Sequence, residues 1–576
     1  MVEFGIELRR PQDAGAPIEI VQSVMSPDVA IFVSDEAFLF AWGEAGGATD
    51  VGAFVNAPAA TGALSRVRID RRNGEISANT DSFGLFPILV HQRADRVLLA
   101  GHGATMASLL GAEASPDPLA ALELLAYGQL LGTRTTLREV SQLPAGALLK
   151  TRVGQRPEIV TSPLVLSDRH CPLDAAIATF VRAVDARMKA AIDPVIPISG
   201  GLDSRLILAA ALASGHRPRA LCFGAVDSAD LRIAKEMADA VGVELVTGTI
   251  VADGFESAAT DIAVRGAGAV PLHHGHALAV PGLVAETSGA TLLTGTGAET
   301  YRAFYYERGM PGLELLGTKL LRGKLLKPAR RYAREAFERT LAPVRGALPS
   351  VALWLDRTLD ERLDVYAVRA PDAARYLDAV YLGERVNRFV VAGQQMLDAT
   401  YRRAHPYLDP AVVTACSGLP IPTRFGGAWQ RAAITRLAPK LACVTWDRTM
   451  RPLADGLDWR QRWPGLAARL GRRGAYGKAG APLASYGDWM SKDCSQLASA
   501  LVGCGVAESD VATGLASLAA GPLATHLSGV AGAWSGWTSH LASPRRLREL
   551  PLNDRRMARL QAMPQSRERS ELPCAA

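Results

Sequence analysis

Residues 195–215 read VIPISGGLDSRLILAAALASG. A short run rich in β-branched residues meets two glycines and an aspartate, and a long apolar segment follows. The pattern predicts a strand over VIPI, a tight turn over SGGLDS and a buried helix after it. Gly200 and Gly201 remove the Cβ atoms that would keep an anion from the backbone. Successive N–H groups at a helix start then form an anion-binding concavity. Ser199 and Ser204 add hydroxyl donors. A phosphate repels Asp203, so that carboxylate is assigned to a Mg²⁺ ion held against one. The loop is not GxxxxGK[ST], which excludes a P-loop. A glycine-rich turn whose aspartate merely caps the helix accounts poorly for the six-residue pattern.

Outward from this stretch, residues from about 172 alternate long helices with short apolar strands. AAIATFVRAVDARMKAAI reads as a helix; VIPI, RALCF, VELVTGTI and ATLLTG read as strands. Such alternation predicts a parallel α/β sheet, whose ligands bind beyond the carboxyl ends of the strands. Residues 1–150 are instead β-rich. VAIFVSDEAFLFAWG and the run from Arg66 to Gly103 carry short β-branched and aromatic segments, with turns at Asn73-Gly74 and at QRADR. DPLAALELLAYGQLL reads as a helix, and a Pro144-Ala145-Gly146 turn leads into a last strand. The expected division is a β-rich domain over 1–160, an α/β domain over 172–545 and a basic, partly disordered tail over 546–576.

The chain has 576 residues, 48% of them hydrophobic and 21% charged, and this suits a soluble globular protein of two domains. A net charge of +6 over that length does not argue for nucleic acid. The seven cysteines form no CxxC pair, so a zinc or disulfide framework is not expected and a reducing cytoplasm fits. The first residues, MVEFGIELRRPQDAG, lack the apolar core of a signal peptide, and no apolar run is long enough for a membrane helix. HHGH at 273–276 lacks the i, i+4 spacing of a helical zinc pair; these side chains are expected in or beside a substrate pocket. Residues 318–346 hold nine Lys/Arg against two Glu. They offer either a surface for an acidic peptide or partner protein, or simply a solvated basic helix. Trp446 is expected in the core.

SGGLDS between a strand and a helix resembles the pyrophosphate loop of the ATP-pyrophosphatase superfamily. Further segments resemble its asparagine-synthetase-like branch. DSFGLFPILV at 81–90 is similar to that family's DPLG-x-x-PLYY strand. The segment 125–150 is similar to the close of its N-terminal domain, LLTGTGAETYRAFY at 292–305 to its LSG-x-G-x-DE loop, and HPYLDPAVVTACSGLP at 405–420 to its VPFLD segment. The resemblance spans roughly residues 60–455. It implies an N-terminal glutaminase-like (Ntn-type) domain ahead of a parallel α/β ATP-pyrophosphatase domain. It also implies ATP and Mg²⁺ as cofactors. Ser199, Gly200, Gly201, Asp203 and Ser204 would hold the pyrophosphate, and Asp203 and Glu299 the Mg²⁺. The backbone at the strand end, Leu221, Cys222 and Phe223, would face adenine, near Thr294 and Gly295.

The departures from the family pattern narrow the function. Glutamine-using members carry a cysteine at position 2; here Val2 stands there and the first cysteine is Cys171, so glutaminase activity is not expected. NGEI at 73–76 imitates a glutamine-binding motif but reads as a hairpin turn. Without ammonia, the attacking amine must come from the substrate. Thr296 stands where asparagine synthetases have Glu and β-lactam synthetases have Tyr, and Thr300 replaces a following acid. YRRAHP at 401–406 replaces E-x-R-x-P. WDRTMRPL at 446–453 corresponds to the segment of the family's catalytic Lys, making Arg448 and Arg451 candidate catalytic residues beside Thr296.

These features are most similar to lasso-peptide cyclases. That resemblance implies macrolactam closure of a leader-free precursor peptide through an adenylated Asp or Glu side chain, with a leader peptidase and a leader-recognition protein as partners. It implies neither a nucleic acid nor a membrane partner. A β-lactam-synthetase-like enzyme acting on a small molecule and a catalytically dead peptide-binding scaffold are the alternatives.

Overall fold

The computed structural model describes residues 4–9, 18–25, 29–34, 36–44, 64–162, 166–167, 169–307, 326–368, 370, 372–398, 400–457 and 486–542. Val2, residues 318–325 of the basic segment and the tail 546–576 lie outside them.

Alternating polarity builds the N-terminal part. In β5 (Leu64–Asp70), Val67 and Ile69 are buried while Arg68 between them is exposed. The same alternation recurs in β6 (Ile76–Asn79) and β10 (Ala147–Thr151), whereas β1 (Phe4–Arg9) and β8 (Arg96–Ala100) are buried almost throughout and β11 (Glu158–Thr161) is exposed; β2 (Glu19–Met25), β3 (Ala30–Val33), β4 (Ala37–Gly43), β7 (Leu89–Gln92) and β9 (Ser141–Gln142) complete the set. They form two sheets, ordered β2-β1-β8-β7-β9 and β11-β10-β6-β5-β4-β3. The sheets share a core in which Phe4 of one stacks on Trp42 of the other at 4.3 Å. Asn73 and Gly74 turn the β5–β6 hairpin, with Gly74 at φ 69°. NGEI is thus a turn.

DSFGLFPILV is not one strand. Asp81, fully buried, accepts hydrogen bonds from the backbone N–H groups of Phe83, Leu85 and Phe86 at 2.9–3.0 Å. That side chain folds residues 81–86 into a tight loop, and pairing begins only at Leu89.

The C-terminal part holds the expected parallel sheet. β12 (Pro194–Pro197), β13 (Arg219–Gly224), β14 (Leu245–Thr249), β15 (Thr291–Leu293) and β16 (Arg402–Ala404) are ordered β14-β13-β12-β15-β16, all parallel. β16 was not legible as a strand in YRRAHP. The chain moves outward from β12 to β14 and then returns to β12's other side with β15. The topological switch point therefore lies between the carboxyl ends of β12 and β15, where SGGLDS and TGTGAET emerge. The helix Asp203–Ala213 is apolar almost all round and is buried accordingly.

A helical lobe covers one side. Helices Pro118–Tyr127, Leu326–Glu335, Glu338–Ala347, Ala352–Ala367, Ala373–Val380, Ser495–Gly503, Glu508–Ala519 and Ala524–Ala542 share one hydrophobic core. Residues 326–346 of the basic segment belong to this lobe, and much of their charge is spent within it. Arg330 pairs with Asp360 and Asp364, Arg334 with Asp356 and Asp360, and Arg345 with Glu338 and Asp356. Those arginines do not form an open basic surface. Among the described residues, no helix is long and apolar enough to cross a membrane.

Candidate active site

The switch point opens into a cavity of about 470 Å³. Ser199, Gly201, Asp203 and Ser204 line it from the first loop, and Thr294, Gly295, Thr296 and Glu299 from the second. Leu221 and Phe223 reach it from the end of β13. Residues assigned to one site from the sequence are thus brought together by two loops some hundred positions apart.

The glycines divide their work differently from the expectation. Gly200 does not face the cavity. Its N–H donates to Asp230 Oδ1 at 2.8 Å, and a Cβ there would lie 2.6 Å from Asp447 Cβ. Its missing side chain serves packing against residue 447. Gly201 lies on the cavity wall, and the nearest atom to an added Cβ is Ser199 Oγ at 3.5 Å. Gly295 lets the second loop approach the first: a Cβ there would come within 3.0 Å of Asp203 Cβ. The Cys222 side chain does not line the cavity. The strand pleat turns it away from its neighbours Leu221 and Phe223, and burial pushes its thiol up to about 12.

Asp203 and Glu299 converge on one another. Burial raises the Glu299 carboxyl above its usual range, and the nearby Asp203 charge adds to the shift. Arg302 lies 3.2 Å from Asp203 Oδ2 and 3.9 Å from Glu299 Oε1. Gln430 Nε2 donates to Asp203 Oδ1 at 2.8 Å, and the Tyr407 hydroxyl donates to the Asp203 carbonyl at 2.9 Å. Two hard carboxylates that disfavour each other's charge fit a Mg²⁺ ion whose remaining ligands are phosphate oxygens and water. Among the described residues, no group of three or more His, Cys, Asp and Glu side chains could hold a metal without such help.

Thr296 is fixed by a chain of contacts that crosses into the N-terminal part. Its hydroxyl lies 2.8 Å from Thr294 Oγ1 and accepts a hydrogen bond from Gln394 Nε2 at 2.6 Å. Gln394 Oε1 is 3.2 Å from His405 Nε2, and His405 Nδ1 is 3.2 Å from Glu44 Oε1. Glu44 also accepts the His405 backbone N–H at 2.5 Å and pairs with Arg187 at 2.9 Å. Burial lowers the pKa of His405, with the Glu44 hydrogen bond acting against it. Burial pushes Glu44 up, but Arg187 and His405 outweigh it and hold its carboxyl below the usual range. Sequence reasoning missed Gln394, His405 and Glu44, because the last two lie 361 positions apart.

Arg448 and Arg451 are absent from the cavity lining. Arg451 is exposed on the short strand β18 (Arg451–Pro452), and the Arg448 guanidinium lies 5.8 Å from the Trp446 ring. Trp446 is in the core. Arg205, in contrast, carries a load the sequence did not show. Fully buried, it donates to the carbonyls of Gly200, Leu441, Val444 and Thr445 at 2.6–3.2 Å and so ties the motif loop to the 441–445 segment. Burial lowers its pKa to about 10. His274 and His276 line the cavity, and His273 packs beside them, held down to about 4 by burial. The opposite wall comes from a π-helical stretch, Tyr381–Val391, whose Phe389 and Val390 face the cavity.

Residues 176–441 match the family model described as asparagine synthase. The match covers the parallel sheet, both loops and the Gln394–His405 segment. It supports an asparagine-synthetase-like family and, with it, an ATP-dependent ligase that forms amide bonds. No curated protein is similar enough to the chain to count as a match.

Proposed function

From an asparagine-synthetase-like ligase core, we propose an ATP-dependent macrolactam synthetase of lasso-peptide type, acting on a leader-free precursor peptide. A leader peptidase and a leader-recognition protein would supply that peptide. An Asp or Glu side chain attacks the α-phosphorus of ATP, giving an acyl-adenylate and pyrophosphate. The peptide's own N-terminal amine then displaces AMP and forms the ring amide. The observation that carries this reading is the pairing of an intact SGGLDS turn with a cavity wall at 294–296 that offers hydroxyls instead of an acid.

Gly201, Ser199 and Ser204 would receive the pyrophosphate, and Asp203 and Glu299 would hold Mg²⁺, which would neutralise charge on the leaving group. Thr296 and Gln394 orient the acyl group by hydrogen bonding. In this reading the N-terminal sandwich is a glutaminase-like fold kept for what Glu44 and its neighbours contribute. Positioning of two ends of one chain supplies much of the barrier reduction.

The test is a single-turnover assay with ATP and candidate leader-free peptides. The expected product is one water lighter than the linear peptide and lacks a free N-terminal amine, with one AMP and one pyrophosphate released. Ammonia incorporated as a primary amide would return the chain to asparagine synthesis. Preference for a free amino acid would favour a β-lactam-synthetase-like enzyme. The Arg302–Asp203 ion pair favours a second reading, a scaffold that binds peptide without turnover; pyrophosphate release would exclude it.

A further inference from the structure

Beside the nucleotide-sized cavity lies a second of about 460 Å³, built largely by the helical lobe. The two share His274 and Phe389, whose rings meet edge to face at 4.4 Å. Phe304, Tyr332, Phe337 and Tyr381 add aromatic surface. Two guanidiniums, Arg339 and Arg385, also line it.

The charge on this cavity is unlike its surroundings. Neighbouring arginines of the same lobe are matched by Asp356, Asp360 and Asp364. Among the described residues, neither Arg339 nor Arg385 has a carboxylate within ion-pair distance. Arg385 stacks on Phe389 at 3.4 Å and donates to Gln129 Oε1 at 3.1 Å. The acid whose charge it feels is Glu299, already engaged at the first cavity. A lobe that neutralises its other arginines but leaves two on an aromatic cavity wall, Arg385 half-buried and Arg339 exposed, is complementary to an anion brought by a ligand. An inorganic anion would make no use of the aromatic rings, whereas an apolar chain bearing a carboxylate uses both.

We propose that this second cavity binds a carboxylate-bearing, aromatic or aliphatic peptide segment, held by Arg385 and Arg339 and stacked on the surrounding rings. Its identification as the remainder of the acceptor substrate rests on the amide-forming reading; its ligand chemistry does not. The shared His274–Phe389 partition would place such a segment next to the acyl group in the first cavity.

The probe is the anionic dye 8-anilinonaphthalene-1-sulfonate, titrated by fluorescence into the full-length protein. Competitors are the peptides acetyl-Phe-Asp-Phe-amide and its neutral Asn twin. Saturable binding is expected, displaced at least tenfold better by the acidic peptide. Arg385→Met and Arg339→Met should each weaken dye binding about tenfold or more, while Arg331→Met, an exposed residue paired with Glu335, leaves it unchanged. Arg339 is exposed, so its variant remains informative should Arg385→Met fail to fold. Equal displacement by both peptides, or undiminished binding in both cavity variants, overturns the proposal. Titration with α,β-methylene-ATP in the same samples separates the two readings: no nucleotide binding would sink the ligase reading while leaving this site standing.

Discussion

Removing the Glu44 carboxylate should damage stability and turnover together, in separable amounts. The side chain is 9% exposed and makes three contacts: the His405 backbone N–H at 2.5 Å, His405 Nδ1 at 3.2 Å and Arg187 at 2.9 Å. Breaking a buried ion pair by deleting one partner costs about 3–5 kcal/mol. Arg187 keeps a second partner, Asp409, at 2.9 Å, which places Glu44→Ala near the lower end, at about 3 kcal/mol. Glu44→Gln keeps the volume and an acceptor for the backbone N–H, so it should cost about 1–2 kcal/mol. Urea unfolding at pH 7, with unchanged m-value, measures both. Turnover follows a different path. Loosening His405 frees Gln394, and through it Thr296, so ring closure should slow about tenfold in kcat, equivalent to about 1.4 kcal/mol, with the KM for ATP nearly constant. The Gln variant should recover part of this. Unfolding of Glu44→Ala within about 0.5 kcal/mol of wild type, with normal kcat, would refute the reasoning, since surface substitutions give that much.

Glu299→Gln should abolish pyrophosphate release without lowering the melting temperature, because it relieves the repulsion between two facing carboxylates; a lowered melting temperature would contradict the raised Glu299 pKa. Asp203→Asn should abolish release with the fold intact by circular dichroism. Gly200→Ala and Gly201→Ala should separate cleanly. The first meets Asp447 at 2.6 Å and should lose about 1–3 kcal/mol of stability, while the second should keep stability and raise the KM for ATP. Acid should destabilise the fold through the buried histidines. His273 is held from 6.5 to about 4, so the unfolded chain binds the extra proton: its contribution is complete above about pH 6.5 and lost as pH falls toward 4, about 3 kcal/mol in all. His273→Asn should flatten the stability–pH slope in that window.

The parallel sheet was legible because short apolar runs such as VIPI and RALCF alternate with helices, a local pattern. SGGLDS was legible because its glycines and aspartate act within six residues. DSFGLFPILV misled because one buried side chain, Asp81, overrides the strand propensity of the residues after it. Arg205 adjoins the motif, but nothing nearby in sequence marks the carbonyls at 441–445 that it holds. The π-helical wall at 381–391 carries no composition that distinguishes it from an ordinary helix. For the basic run at 318–346 the sequence leaves a partner surface and a solvated helix both open, because the aspartates that pair with Arg330, Arg334 and Arg345 lie further along the chain, at 356, 360 and 364.

The acids absent at positions 296 and 402 pose a chemical question that the fold answers indirectly. A site with Glu at those places can take a proton from an attacking amine. Here Thr296 and Gln394 orient without titrating at any accessible pH, and Arg403, on the same cavity, is bound to Asp398. His274 and His276 reach the cavity, but burial keeps them neutral and makes them weak bases. In the proposed reading Asp203 and Glu299 are committed to the metal side. Among the described residues, then, the cavity offers orientation in abundance and carboxylate proton acceptors only on the side that this reading gives to the phosphates. That balance suits a nucleophile tethered to its own electrophile. Its effective concentration offsets weak general-base help, and its surplus proton can leave on the departing AMP phosphate. A free amine from solution would gain neither advantage.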